Sequence, residues 1–109
     1  MATSRVISYR SYSNNPLSEV DAYARRTGYI KFIYFTKPKS PMTYNVEYFC
    51  GTLPEQFRPY EFVNNYEFYG NDRNYLINIY TNGKVYLKCL SNNLPSSGIP
   101  TIQNGIVYI

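Results

Sequence analysis

The chain has 109 residues, with 11 Lys and Arg against 7 Asp and Glu, a net charge of +4, and neither histidine nor tryptophan. The length fits one domain with a single modest core. The absence of histidine excludes Ser–His and Cys–His catalytic pairs and any histidine metal site. The basic residues are scattered, with Arg25-Arg26 the only adjacent pair, which argues against nucleic acid as a partner.

Fourteen Tyr and six Phe make the aromatic share 18%, and alanine occurs only at Ala2, Ala22 and Ala24. Aromatic and β-branched residues favour pleated, half-buried surfaces, so the composition predicts an all-β protein. Cys50 and Cys89 are too few for a thiolate zinc site. They read as two buried thiols on strands, or as one disulfide if their Cα atoms come within roughly 7 Å. The first five residues, Met1 to Arg5, are polar and resemble no signal peptide. No apolar run approaches the ~20 residues of a membrane span, so no membrane insertion is expected.

Residues 1–15 read as an N-terminal strand or tether, β-biased over 5–12 and ended by the turn cluster Ser13-Asn14-Asn15-Pro16, and residues 16–109 as a single β-domain. Residues 18–26 have a helical reading, with Ser18 and Asp21 imitating a capping box, but Val20, Ala22 and Ala24 alternate with Asp21, Tyr23 and Arg25. The period of two predicts a strand. Thr27-Gly28 turns the chain into a second strand over 29–35, apolar on both sides: Ile30, Phe32 and Tyr34 on one, Tyr29, Lys31, Ile33 and Phe35 on the other. Such a strand is expected between layers or subunits. Lys37-Pro38-Lys39-Ser40-Pro41 breaks the sheet, and residues 44–50 form the next strand.

In Gly51-Thr52-Leu53-Pro54-Glu55-Gln56-Phe57-Arg58-Pro59, the two prolines lack backbone donors and forbid a central strand. The prediction is an extended crossover pinned to the core by Leu53 and Phe57, with Arg58 available to carbonyls that lack sheet partners. β character returns over 60–68, and Tyr69-Gly70-Asn71-Asp72-Arg73 reads as a turn or exposed loop.

Residues 74–90 give the clearest local signal, two β runs flanking Asn82-Gly83. A two-residue turn would pair Tyr80 with Val85 and mix polar with apolar residues on both faces. A three-residue loop, Thr81-Asn82-Gly83, with Gly83 as a left-handed bulge residue, pairs Ile79 with Val85, Ile77 with Leu87 and Tyr75 with Cys89. That register gathers the apolar residues on one face and is the one predicted. Beyond it come a polar loop over 91–97, a short edge strand over 98–102, a turn at Asn104-Gly105 and a last strand over 106–109, whose apolar end suggests a C-terminus tucked into a sheet or an interface.

No phosphate-loop, dinucleotide, zinc or calcium pattern occurs, so neither cofactor nor metal is expected. Glu47, Glu61, Glu67 and Asp72 read as solvated carboxylates rather than a glycosidase pair, and no enzyme activity is predicted. A Tyr/Asn-rich surface could stack on sugars while its hydroxyls and amides supply adaptable hydrogen bonds. Local density is highest over 64–75, which makes Tyr66, Tyr69, Asn71, Asp72 and Arg73 the candidate ligand-binding residues.

Three stretches carry a family resemblance. Arg25-Arg26-Thr27-Gly28-Tyr29-Ile30 resembles the R-x-G-N-V-V opening of small β-rich head domains at the C-terminal ends of bacteriophage tail-fibre and baseplate receptor-binding proteins. Gly51 to Pro59 resembles their G-T-L-P-x-G-[YF]-R-P segment, through Leu53, Pro54, Phe57, Arg58 and Pro59, with Gln56 where the family often has Gly. Ile77 to Val85 resembles their I-x-I-x-x-D/N-G-x-V hairpin through Asn82 and Gly83. The resemblance spans about residues 20–109. It implies an antiparallel β-sandwich or barrel of jelly-roll type, assembled as a homotrimer on the virion tail with the rest of the fibre or baseplate as partner. It also implies host-cell adhesion through a cell-wall or capsule saccharide. The alternative is a structural trimerisation or capping domain that touches no receptor.

Overall fold

The alternating apolar positions become the inner faces of eight strands. The computed structural model describes residues 9–109. Among them run β1 (Arg10–Asn14), β2 (Val20–Thr27), β3 (Ile30–Pro38), β4 (Glu47–Thr52), β5 (Val63–Gly70), β6 (Arg73–Ile79), β7 (Lys84–Cys89) and β8 (Asn104–Tyr108), with one 3₁₀ turn at Glu55–Phe57 and no α-helix. They form two antiparallel four-stranded sheets, β1-β2-β3-β8 and β4-β7-β6-β5. The chain passes between sheets only twice, after β3 and after β7, which is simpler than the paired Greek keys of a jelly roll.

The arrangement is sandwich-like, with the core between the inner faces. Ala22, Ala24, Ile33 and Phe35 from the first sheet meet Phe68, Tyr75, Ile77, Ile79, Val85 and Leu87 from the second. The small Ala22 and Ala24 leave room for the rings opposite, and Phe35, Phe68 and Tyr75 stack at 6.0 and 5.6 Å.

The β6–β7 hairpin has the predicted register, Ile79 with Val85, Ile77 with Leu87 and Tyr75 with Cys89. Gly83, at φ +93°, donates its N–H to the Tyr80 carbonyl, and Tyr80 donates to Lys84. All six inward residues of the hairpin are buried.

Residues 53–62 connect β4 at one edge of the second sheet to β5 at the other, which makes that sheet a Greek key. Leu53 and Phe57 are fully buried along this crossover. The Leu53 N–H donates to the Gly83 carbonyl at 2.8 Å, and Arg58 Nε donates back to the Leu53 carbonyl at 3.0 Å. The first sheet holds the other side: Arg26 Nη1 donates to the Gln56 carbonyl, and the buried Tyr108 hydroxyl donates to the Phe57 carbonyl at 2.7 Å.

Several expectations need correction. Residues 5–8 lie outside the described residues, and the first strand continues through Ser13 and Asn14 because both pair with β2. β3 runs on to Pro38, which pairs with Val20 beyond a bulge and ends the strand where its missing N–H matters least. The fourth strand starts at Glu47, since Asn45 turns at φ +61°. Strand pairing reaches Gly70 and Arg73, so the expected loop shrinks to a two-residue turn. Residues 98–102 form no strand; Ile102 is buried, but only isolated bonds such as Ile102 N–H to the Thr36 carbonyl hold them. Gln103 makes the turn at φ +52°, and Asn104-Gly105 already pairs with Phe35 and Tyr34. Ile109 is 66% exposed, so it is not tucked into a sheet of its own chain, and within the chain β3 is buried on the Lys31, Ile33, Phe35 side only.

Gly83 and Gly28 make a test. A Cβ on Gly83 would lie 2.7 Å from the Leu53 carbonyl oxygen and 2.8 Å from Arg58 Nε, whereas one on Gly28, at φ +60°, would meet nothing. Gly28→Ala is expected to cost only the left-handed backbone term, about 1–2 kcal/mol. Gly83→Ala should cost clearly more, because the crossover must also move. Denaturant unfolding of the two variants checks the order.

Candidate functional site

Asn71 and Asp72, at φ +48° and +69°, form the tight turn between β5 and β6. Asn and Asp tolerate the left-handed region, which is why this pair can close a two-residue hairpin. The turn brings Tyr69, Asn71, Asp72 and Arg73 together, and they bond mainly to the protein itself. The Tyr69 hydroxyl donates to Asp72 Oδ1 at 2.9 Å, a bond that raises the phenol above its ordinary pKa. Asn71 Nδ2 donates to the hydroxyl and carbonyl of Thr101. Arg73 spends Nε and Nη2 on the Asn93 carbonyl and Nη1 on that of Asn71. Asn93 and Asn104 return bonds to the carbonyls of Asp72 and Tyr69. The cluster therefore bolts the hairpin end to residues 91–93 and 101–104. Tyr66 stands apart: it pairs with Ile77 on the same side of β5 as Phe68, and at this sheet edge it is 50% exposed.

A larger aromatic surface lies elsewhere. Cross-strand pairing puts Asn14 beside Tyr23, Tyr23 beside Tyr34 and Tyr34 beside Gly105 in one row across the first sheet. The next row is Tyr12, Arg25, Phe32 and Val107. These residues point away from the core. Tyr23 stacks on Tyr34 at 5.1 Å and reaches Tyr12 at 5.7 Å and Phe32 at 6.0 Å. The Arg25 guanidinium sits 5.0 Å above the Phe32 ring. Tyr12 and Val107 are each 61% exposed, and no described element covers the face.

The outer face of the second sheet carries its own chain of rings, Phe49 to Tyr86, Tyr86 to Tyr80 and Tyr80 to Phe62, the last pair stacked at 4.4 Å. Beside it Asn78 is buried and fully engaged. It donates to Glu47 and to Asn65 Oδ1, and accepts from the Asn65 N–H at 2.7 Å. Asn65 belongs to the bulge in β5, so Asn78 satisfies a donor that the ladder leaves over.

Tyr66, Tyr69 and the turn residues were visible as a dense polar-aromatic stretch. Tyr12, Tyr23, Arg25, Phe32 and Tyr34 escaped notice as a site because they become neighbours only through pairing across three strands. The signal was present in the alternation of β2 and β3, whose outward sides carry these rings.

Cys50 and Cys89 are buried free thiols. Burial pushes Cys50 up to about 12. The Tyr75 hydroxyl is buried without a hydrogen-bond partner; burial first, and then Cys89, lift it to about 12, with Arg73 opposing. Burial likewise raises Tyr108. Among the described residues no group of His, Cys, Asp and Glu is placed to hold a metal, and no helix is long and apolar enough to cross a membrane. No known family model, curated protein or solved structure matches the chain.

The buried thiol and phenols share one sign. Each folded pKa lies above its unfolded value, so their contribution is intact below the unfolded pKa and is lost as pH rises through the folded one. For Cys50 that window runs from 9.0 to about 12. Melting temperature should be level below pH ~9 and fall above it, and Cys50→Ala should shallow the fall in thermal melts across that range. Tyr75→Phe removes an orphaned hydroxyl and should be neutral or stabilising by up to about 1–3 kcal/mol.

Proposed function

We propose that this chain is a non-enzymatic binding module, the β-rich head of a bacteriophage tail-fibre or baseplate protein, and that it takes a host-surface saccharide on the outer face of the β1-β2-β3-β8 sheet. The observation that carries the reading is the uncovered double row of rings, Tyr12, Tyr23 and Tyr34 with Phe32 and Arg25 beside them. Sugar rings present apolar C–H faces that stack on such a surface, while hydroxyls and guanidinium groups supply directional bonds. The aromatic side chains here are pre-stacked, so little rotamer freedom is lost on binding.

The motif resemblance supports the virion setting. Its two more specific halves, the Leu53 to Pro59 crossover and the Asn82-Gly83 hairpin, are in direct contact through Leu53, Arg58 and Gly83. A motif whose parts brace each other reads as a fold signature, and the ligand surface belongs elsewhere. In this reading the molecule works as a homotrimer, and the ring chain Phe49, Tyr86, Tyr80 and Phe62 on the second sheet is the apolar surface that neighbouring subunits would cover. The existence of two aromatic faces also favours the alternative, in which both are covered by subunits and the domain only caps a fibre.

The test is binding to a panel of bacterial cells and their extracted wall and capsule polysaccharides, with solution mass measured in parallel. Tyr23→Ser/Tyr34→Ser should keep the unfolding midpoint near wild type and weaken binding about tenfold, from two lost ring contacts of about 0.5–1.5 kcal/mol each. Undiminished binding by that variant would remove the site from this face. A trimer that binds no cell and no polysaccharide would instead establish the capping role.

A further inference from the structure

At one corner of the aromatic face, Arg10, Ser11, Tyr12, Arg25, Arg26 and Thr27 line an open groove of about 280 Å³. Its lining holds three guanidinium groups and no carboxylate. The register explains the cluster: Arg10 lies opposite Thr27 and Tyr12 opposite Arg25, so both arginines and Tyr12 project from the same side of the β1–β2 pair. Arg26 lies between them in sequence but is committed to the fold, with Nε on the Gly28 carbonyl at 2.6 Å and Nη1 on that of Gln56. Arg25 is exposed and is held in place by the Phe32 ring beneath its guanidinium. Among the described residues no carbonyl or carboxylate accepts a bond from Arg25 or Arg10.

Stacking fixes the plane of a guanidinium and leaves its N–H edge open. That edge matches a two-oxygen anion in bidentate fashion. The geometry points to an anion subsite here: Arg25 and Arg10 bind the acidic group of a charged glycan whose neighbouring sugar stacks on Tyr12 and Tyr23. The inference rests on the saccharide reading above and narrows it to acidic polymers, bearing carboxylate or phosphate. A nucleic-acid strand would need a basic groove that follows its backbone. The next row along this face, Asn14, Tyr23, Tyr34 and Gly105, is uncharged, and beyond it Asp21 pairs with Lys37, so the unbalanced positive charge is confined to one corner.

Calorimetric titrations with four probes test it: polygalacturonate, its fully methyl-esterified form, poly(glycerol phosphate) and oligo(dT). Polygalacturonate or poly(glycerol phosphate) should bind at least about tenfold more tightly than the ester, the worth of one charge-assisted hydrogen-bonded pair, and the preferred probe identifies the anion. Arg25→Lys keeps the charge but loses the fork, and should give up most of that preference, with affinity for the acidic polymer falling clearly more than affinity for the ester and the unfolding midpoint staying near wild type. Lys88→Ala on the other sheet should change nothing. Equal affinity for ester and acid would overturn the anion subsite while leaving saccharide binding intact. Binding of neither acidic polymer, while host cells still bind, would also overturn the subsite alone. Loss of cell and polymer binding together would sink both readings. Tighter binding of oligo(dT) than of either acidic polymer would replace the glycan with nucleic acid.

Discussion

The fold turns on the contact between a crossover and a hairpin tip. The Leu53 N–H reaches the Gly83 carbonyl and Arg58 Nε reaches back to Leu53, so a segment that cannot join a sheet has its polar groups satisfied by the end of one. A proline-bearing connection would otherwise leave buried carbonyls unpaired, which costs more than a typical hydrogen bond gains. Gly83 therefore serves twice: its left-handed φ makes the bulge that sets the hairpin register, and its missing Cβ admits Leu53 and Arg58. With the register fixed, Ile77, Ile79, Val85 and Leu87 face inward, and Leu53 and Phe57 close that end of the core. Tyr108 and Arg26 then tie the first sheet to the same segment.

That geometry leaves a surplus of aromatic side chains. Two small sheets enclose one interior, and of the described tyrosines only Tyr75 and Tyr108 are buried in it. Tyr48 and Tyr66 lie at the edges of the inner face, and most of the others lie on outer faces and turns, where cross-strand pairing sorts them into rows. Exposed single rings need no explanation, but contiguous rows on both outer faces do. Here the hydrophobic pattern that builds the fold also creates its contact surfaces.

The sequence made the β6–β7 hairpin legible because local chemistry there is unambiguous: alternation on both strands agrees with only one loop length at Asn82-Gly83. The pinning role of Leu53 and Phe57 was legible for a related reason, since large apolar residues between prolines have nowhere else to go. Other features depended on partners far along the chain. Ile102 is buried without belonging to a strand, because segment 98–103 passes beside Gly70, where a side chain would strike the Ile102 carbonyl. Asn71-Asp72 looked like part of a loop because neither residue is glycine, although both accept the left-handed backbone that a two-residue turn requires. Arg73 looked available for a ligand because its carbonyl partner Asn93 lies 20 residues away. The aromatic rows were the least legible, since composition counts rings but cannot say which strands lie side by side.

The two outer faces differ in how their polar groups are spent. On the second sheet Asn78 satisfies Asn65 and Glu47 and the bulge donor is capped, although Lys84 and Lys88 stand on the same side. A surface with its polar groups already paired loses little when a neighbour covers it, because no desolvated donor is orphaned. On the first sheet the exposed Arg25 stands over Phe32, and among the described residues no group accepts a bond from its guanidinium. Burying that face against a copy of itself would bring like charges together and strip water from unpaired guanidinium groups, whereas an anionic ligand would complete them. In the reading proposed above, the ring chain beside the paired Asn78 cluster suits assembly, and the face left electrostatically incomplete suits recognition.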